Sequence, residues 1–196
     1  RRTFEEEIRR EISGAIRTEQ PLSIVMADID HFKRVNDSEG HSAGDATLRK
    51  FGEVLKKGIR PTDRACRYGG EEFMMILPNT TLNSAIGVSE RLRRNTEAST
   101  IATRDKEFKI TASFGVSTFF PEGPYPHESP EEIGKVIEDI TKQLKDSTDN
   151  TMYGAKNAGR NRTGFMDDNG EIGILEKDPT NNSKTVVRYQ KLQAPT

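Results

Sequence analysis

Cysteine is nearly absent: Cys66 is the single one in 196 residues. It has no partner for an internal disulfide, and a reducing compartment is the simpler setting. Neither sign of charge is in excess. Lys and Arg number 30 against 31 Asp and Glu, a net charge of −1. The basic field that holds nucleic acid non-specifically is therefore missing. No apolar run approaches the ~20 residues of a membrane span, and no signal peptide opens the chain. The first residue is Arg1, not Met. The chain thus reads as a cytoplasmic fragment, without membrane contact of its own, whose upstream sensor or anchor lies outside it. Repeats and low-complexity tracts are missing too. What remains is one domain with an appendage, able to bury about 70% of its unfolded surface.

The pattern that is present alternates helices with strands. Phe4, Ile8, Ile12 and Ile16 recur every four residues, predicting an amphipathic helix over 3–18 that stops before Pro21. Residues 22–27 form a short apolar run, expected as a buried central strand ending in Asp28-Ile29-Asp30. Asp30 reads as the N-cap of a short helix from Phe32 to about Glu39. A second helix is expected over 43–58, strands over 64–68 and 73–77, and a further helix ending near Ala98. Residues 108–120 read as one strand, in which Gly115 marks a bulge or a close backbone approach. A proline-rich loop follows at 121–129. Ser129-Pro130-Glu131-Glu132 starts a helix that Ser147-Thr148-Asp149 interrupts or recaps and Gly159 closes. A short strand covers 163–166. Beyond it the composition shifts. Residues 171–175 and 185–190 are expected to pair as a small hairpin, and 192–196 read as a frayed end.

The chain is organised around Arg67-Tyr68-Gly69-Gly70-Glu71-Glu72-Phe73. Two glycines between strand-like runs signal a hairpin turn, because glycine accepts the positive φ that such turns need. Two carboxylates follow, directly before an apolar run. Charges at that place need a partner, and a divalent cation or a cationic group is the natural one. Taken alone, the stretch reads equally well as a turn followed by solvated acids. Asp28 has a similar ambiguity between turn residue and metal ligand. The end of a buried strand holds a carboxylate rigidly, which favours the ligand.

A series of short matches settles the ambiguity. Ala27-Asp28-Ile29-Asp30-His31-Phe32-Lys33, Asn36-Asp37, Gly40-His41, Gly44-Asp45, the run from Arg67 to Phe73, and Ala155-Lys156-Asn157-Ala158-Gly159-Arg160-Asn161 lie in order at compatible spacings. Together they resemble the GGDEF family of diguanylate cyclases over about residues 1–166, leaving 167–196 as a C-terminal extension. The resemblance implies an α+β fold, a central five-stranded, mainly antiparallel sheet flanked by helices, like nucleotidyl cyclases and polymerase palms. It implies condensation of two GTP into cyclic di-GMP with release of two pyrophosphates, across two half-sites of a homodimer. Mg²⁺ or Mn²⁺ is the implied cofactor.

By the same resemblance, Asp28, the Ile29 carbonyl, Glu71 and Glu72 hold the metal, and Asp28, Glu71 and Glu72 are the catalytic acids. Base and ligand are not separable between Glu71 and Glu72. His31, Phe32, Lys33, Gly69, Gly70, Lys156 and Arg160 are the implied substrate contacts, with Arg67 supporting the phosphate side. Lys156 and Arg160, four apart, are expected on one helix face. Asn36 and Asp45 match the positions that read guanine; an acid there accepts from donors adenine lacks, so adenine is rejected. Arg60 and Asp63, with Arg91 from the following helix, match an inhibitory site for the product. A loop salt bridge between Arg60 and Asp63 is the plainer reading of that pair. The rival function is a catalytically silent receptor of GTP or cyclic di-GMP on the same fold. It is disfavoured because such receptors usually lose the acids that this chain keeps. An upstream regulatory domain is the implied partner.

Overall fold

In the computed structural model, residues 2–103, 106–122, 125, 129–178 and 181–190 are described. The proline-rich loop falls partly outside them, and the expected frayed end wholly so.

The chain begins with helix α1 (Arg2–Thr18) and strand β1 (Leu22–Ile29). A short helix α2 (Phe32–Glu39) and a longer α3 (His41–Lys57) lead to the hairpin β2 (Arg64–Gly69) and β3 (Glu72–Pro78). Helix α4 (Leu82–Ala98) is followed by the small two-stranded pair β4 (Thr100–Ala102) and β5 (Glu107–Lys109). Strand β6 (Ala112–Phe119), helix α5 (Pro130–Asn157), β7 (Thr163–Met166), β8 (Ile172–Asp178) and β9 (Asn181–Gln190) complete it.

The expected five strands form one sheet in the order β2-β3-β1-β6-β7, and the β8–β9 hairpin extends it to seven. Every pairing in it is antiparallel except β6–β7. That parallel pair needs a crossover, and α5 supplies it. Strand β1 is central and buried along its whole length. Its side chains alternate between two cores. Val25, Ala27 and Ile29 join Phe51 and Leu55 of α3 and Ala85 and Leu92 of α4. Leu22, Ile24 and Met26 join Phe4, Ile8 and Ile12 of α1 and Leu144 and Met152 of α5. A strand buried on both faces needs a continuous apolar run, which is what 22–27 supplies.

Two expectations need correction, and for a third the structure decides between the two readings. The segment 108–120 is not one strand. It breaks at Ile110-Thr111, where the chain leaves its pairing with β4 and joins β1, the Thr111 carbonyl accepting the Asp30 N–H at 2.9 Å. Helix α5 is not interrupted at 147–149 but runs unbroken for 28 residues. Thr148 and Thr151 donate their hydroxyls to the Leu144 and Thr148 carbonyls, at 2.6 and 2.9 Å, so they satisfy themselves inside the helix. Gly115 carries no bulge, since the β1–β6 register runs straight through it. It marks the close approach instead. A Cβ there would lie 2.3 Å from the Thr148 carbonyl and 2.4 Å from the Met152 nitrogen. Gly164 on β7 makes the same allowance, with the Thr151 carbonyl at 2.2 Å. Helix α5 therefore lies directly on the sheet backbone.

Candidate active site

The acids lie together at one end of the central strands. Asp28, at the end of β1, lies opposite Glu72 on β3 and opposite Ser113 on β6. The Ile29 N–H donates to the Glu71 carbonyl at 3.4 Å, so the hairpin turn is tied to the end of β1. Gly70 makes that turn with φ +36°, and the Arg67 Nε donates to its carbonyl at 2.8 Å. Sequence neighbours Glu71 and Glu72 are thus brought to a carboxylate more than 40 residues earlier.

Asp28 is 6% exposed, and burial pushes its carboxyl up to about 6. Lys156 opposes that shift through its hydrogen bond and charge, while Glu71 and Glu72 add to it. The Lys156 ammonium lies 2.8 Å from Asp28 Oδ2. A desolvated carboxylate in the field of two more acids is a strong attractor for cations. Among the described residues, no three acidic, histidine or cysteine side chains stand close enough to cage a metal by themselves. The donor set fits Mg²⁺ nonetheless. That ion is typically bound through one or two carboxylates and completed by substrate phosphates and water.

The residues expected to contact phosphate lie on α2 and near the end of α5. His31 stands at the N-cap of α2 in the left-handed region, φ 57°, and makes no side-chain cap. Asp30 is therefore not the cap expected of it. Its carboxylate is 5% exposed and accepts from Thr111 Oγ1 and Ser113 Oγ, both at 2.7 Å, and from the Asn161 N–H at 2.9 Å. Three donors around one buried carboxylate make a structural knot. The N–H groups at the start of α2 keep the positive end of its dipole beside Phe32 and Lys33. Lys33 is exposed, and Phe32 is buried.

Lys156 and Arg160 do not share a helix face. α5 ends at Asn157, Gly159 follows with φ +117°, and Arg160 is left-handed at φ 61°. Arg160 lines a cleft of about 660 Å³ between α4 and the turn into β7.

Asn36 on α2 packs against Gly44, which precedes Asp45 on α3. A Cβ on Gly44 would lie 2.0 Å from Asn36 Oδ1. Asp45 is exposed, and Asn36 half-buried. At the other end of α3, the Arg60 N–H donates to Asp63 Oδ2 at 2.8 Å. The bond comes from the backbone and not from the guanidinium, so the plain salt-bridge reading does not describe this pair. Arg91 Nη2 donates to the Gly58 carbonyl at 2.6 Å, which sets it beside the Arg60–Asp63 loop.

One network has no counterpart in the sequence reading. Arg93 of α4, 6% exposed, donates to Glu90 Oε1 at 3.0 Å, Glu97 Oε2 at 3.1 Å and Asn161 Oδ1 at 2.8 Å. Asn161 Nδ2 donates to Glu97 Oε1 at 2.9 Å, and Thr163 Oγ1 to Glu90 Oε1 at 2.8 Å. With the Asn161 N–H on Asp30, this network fastens the end of α5 to α4 and β1. The signal was available: Glu90 and Glu97 flank Arg93 at the helical spacings that favour ion pairs.

A family model described as "Diguanylate cyclase, GGDEF domain" matches residues 1–162. Diguanylate cyclase A of Treponema denticola is 35% identical over 158 residues, which are 81% of this chain and 38% of that protein. The GGDEF domain of DgcB from Caulobacter crescentus, solved in complex with c-di-GMP, superimposes with TM-score 0.72 at 27% identity, covering 84% of this chain and 89% of that one. The active GGEEF domain of a diguanylate cyclase from Vibrio cholerae gives TM-score 0.69 at 29% identity, covering 84% and 95%. The chain spans 29–43% of the length of the curated relatives it matches.

Proposed function

The chain belongs to the GGDEF diguanylate cyclase family, and from that premise we propose that it condenses two GTP into cyclic di-GMP, releasing two pyrophosphates. The observation that carries the reading is the register of Asp28 against Glu72 with Glu71 tied to Ile29. It supports a site in which acids from two distant stretches act on one phosphate. Each copy binds one GTP, and two copies face each other, because a 3′-hydroxyl on one nucleotide must reach the α-phosphorus of the other.

Asp28, the Ile29 carbonyl, Glu71 and Glu72 would hold Mg²⁺ or Mn²⁺. When bound, the ion neutralises charge on the phosphates and lowers the pKa of the attacking hydroxyl. The protein's own groups do the rest. The N-terminal N–H groups of α2, with His31, Phe32 and Lys33, receive phosphate oxygens. Lys156 is held against Asp28 at the place where negative charge grows. Arg160, from the turn after α5, is assigned to the terminal phosphates, and Arg67 keeps the hairpin turn in position. Gly69 and Gly70 let the backbone approach the nucleotide. Asn36 and Asp45 select guanine, the carboxylate accepting from donors that adenine lacks. Arg60, Asp63 and Arg91 form an inhibitory site for the product, since guanidinium groups pair with phosphate and stack on guanine.

The test is turnover. Purified protein, stripped of bound nucleotide, is given GTP and Mg²⁺, and pyrophosphate and cyclic dinucleotide are quantified. Cyclic di-GMP is expected, with a rate that falls as product accumulates. Glu71→Gln is expected to lower kcat by about a hundred- to a thousandfold, in the range of losing a principal electrostatic group. Binding of cyclic di-GMP without any product from the unmodified chain would instead support the receptor reading.

A further inference from the structure

The strand ladder skips one residue beside the catalytic hairpin. The β2–β3 register pairs Arg67 with Phe73 and then Gly69 with Glu72. Tyr68 is the extra residue of a bulge between those two pairs. Bulges re-aim side chains and recur next to active sites. β2 is also an edge strand of the sheet. The backbone just before Gly69-Gly70-Glu71-Glu72 is therefore the part of the hairpin that the ladder constrains least.

The Tyr68 side chain supplies a constraint of another kind. Its ring meets Phe4 of α1 edge-on, with centroids 5.8 Å apart. The Lys145 ammonium of α5 lies 5.7 Å from the same ring's centroid, within cation–π range. Lys145 Nζ also donates to Glu5 Oε1 at 2.6 Å. Phe4 is 3% exposed. The first turn of α1, the middle of α5 and the bulge of β2 thus converge on one phenol ring.

We infer that Tyr68 is a positioning residue for the catalytic hairpin, clamped by Phe4, Glu5 and Lys145, so that the place of the first turn of α1 sets the place of Glu71 and Glu72. The ring contributes no atom to the chemistry. It fixes where the chain enters the turn, and the acids follow directly. A shift of the first turn of α1 moves Phe4 and Glu5 together, and both act on the same ring. Arg67 braces the turn by its own bond to Gly70, and the tyrosine links the entry of the turn to α1 and α5.

Two measurements test this. The first is amide hydrogen exchange, which needs no turnover. Lys145→Met and Glu5→Gln are expected to speed exchange across residues 68–73 by about tenfold, leaving β1 and β6 unchanged. Unchanged exchange at 68–73 in both variants overturns the inference, as does equal acceleration throughout the sheet. The second measurement rests on the cyclase reading. Tyr68→Ala is expected to lower kcat by about tenfold with KM for GTP within about twofold, and Tyr68→Phe, which keeps the ring against Phe4 and loses only the hydroxyl that Lys145 also meets, to restore most of kcat. Unaltered kcat in Tyr68→Ala overturns the clamp, and so does a loss that Tyr68→Phe fails to restore. If the unmodified protein makes no cyclic di-GMP, the cyclase reading fails, and the exchange experiment still decides the clamp.

Discussion

Asp28 and Asp30 are two residues apart and do opposite work. Asp30 is wrapped by three donors and fastens β1 to β6 and to the turn after α5. Asp28 is desolvated, with two acids in its neighbourhood and its carboxyl pushed up to about 6. The sign of the consequence follows from that direction. The folded state holds the Asp28 proton more tightly than the unfolded chain, whose ordinary value is 3.8. The penalty for its charge is absent below the unfolded value and complete above the folded one, so stability falls as pH rises through that window. In buffer free of divalent ions, Asp28→Asn is therefore expected to raise Tm relative to the unmodified protein more at about pH 8 than at about pH 4. Thermal melts of the two proteins across that range check it, and an equal difference at both ends would contradict desolvation of Asp28 as the cause. A cation that binds this carboxylate must displace the proton, so Mg²⁺ affinity is expected to climb through about pH 6.

At the scale of elements, what the sequence showed was periodicity, and what it hid was contact. The four-residue recurrence from Phe4 to Ile16 and the apolar run at 22–27 pointed to α1 and β1, because those patterns reflect burial directly. The acids of the site were legible through the resemblance, and their convergence was visible only in the register of β1 against β3. The continuity of α5 was hidden. Serine and threonine favour helix ends in general, and the hydroxyl bonds of Thr148 and Thr151 to the helix's own carbonyls, with the close contact at Gly115, show why these two stay inside. The role of Asp30 was hidden for the same reason, since its donors come from 80 and more residues later. Contact also sets a prediction at this scale. Gly115→Ala drives a Cβ into the backbone of α5, and overpacking of this kind costs about 1–3 kcal/mol. Chemical denaturation measures it. Gly134→Ala on the same helix, where a Cβ meets nothing within 4 Å, is the control and should be neutral or slightly stabilising.

Across the whole molecule, the sheet does not stop where the family match does. The match ends at residue 162, while β7, β8 and β9 continue the same hydrogen-bonded order. Ile172 and Ile174 of β8 are buried against Ala155, one residue before Lys156. Ending the chain after Met166 would strip the outer ladder from β7 and open that small core. Such a truncation is expected to lower Tm and to raise exchange around Ala155, measured by calorimetry and hydrogen exchange. The placement of α5 has a mechanical consequence as well. The helix rests on the sheet where Gly115 and Gly164 meet Thr148, Thr151 and Met152. From that rest, at a rise of about 1.5 Å per residue, the arm toward Pro130 is about 30 Å long and the arm toward Lys156 about 9 Å. The contact is a fulcrum with unequal arms. A tilt of α5 about it moves Lys156 roughly a third as far as Pro130 and in the opposite direction, so a coarse push at the far end arrives at the carboxylate of Asp28 as a fine adjustment.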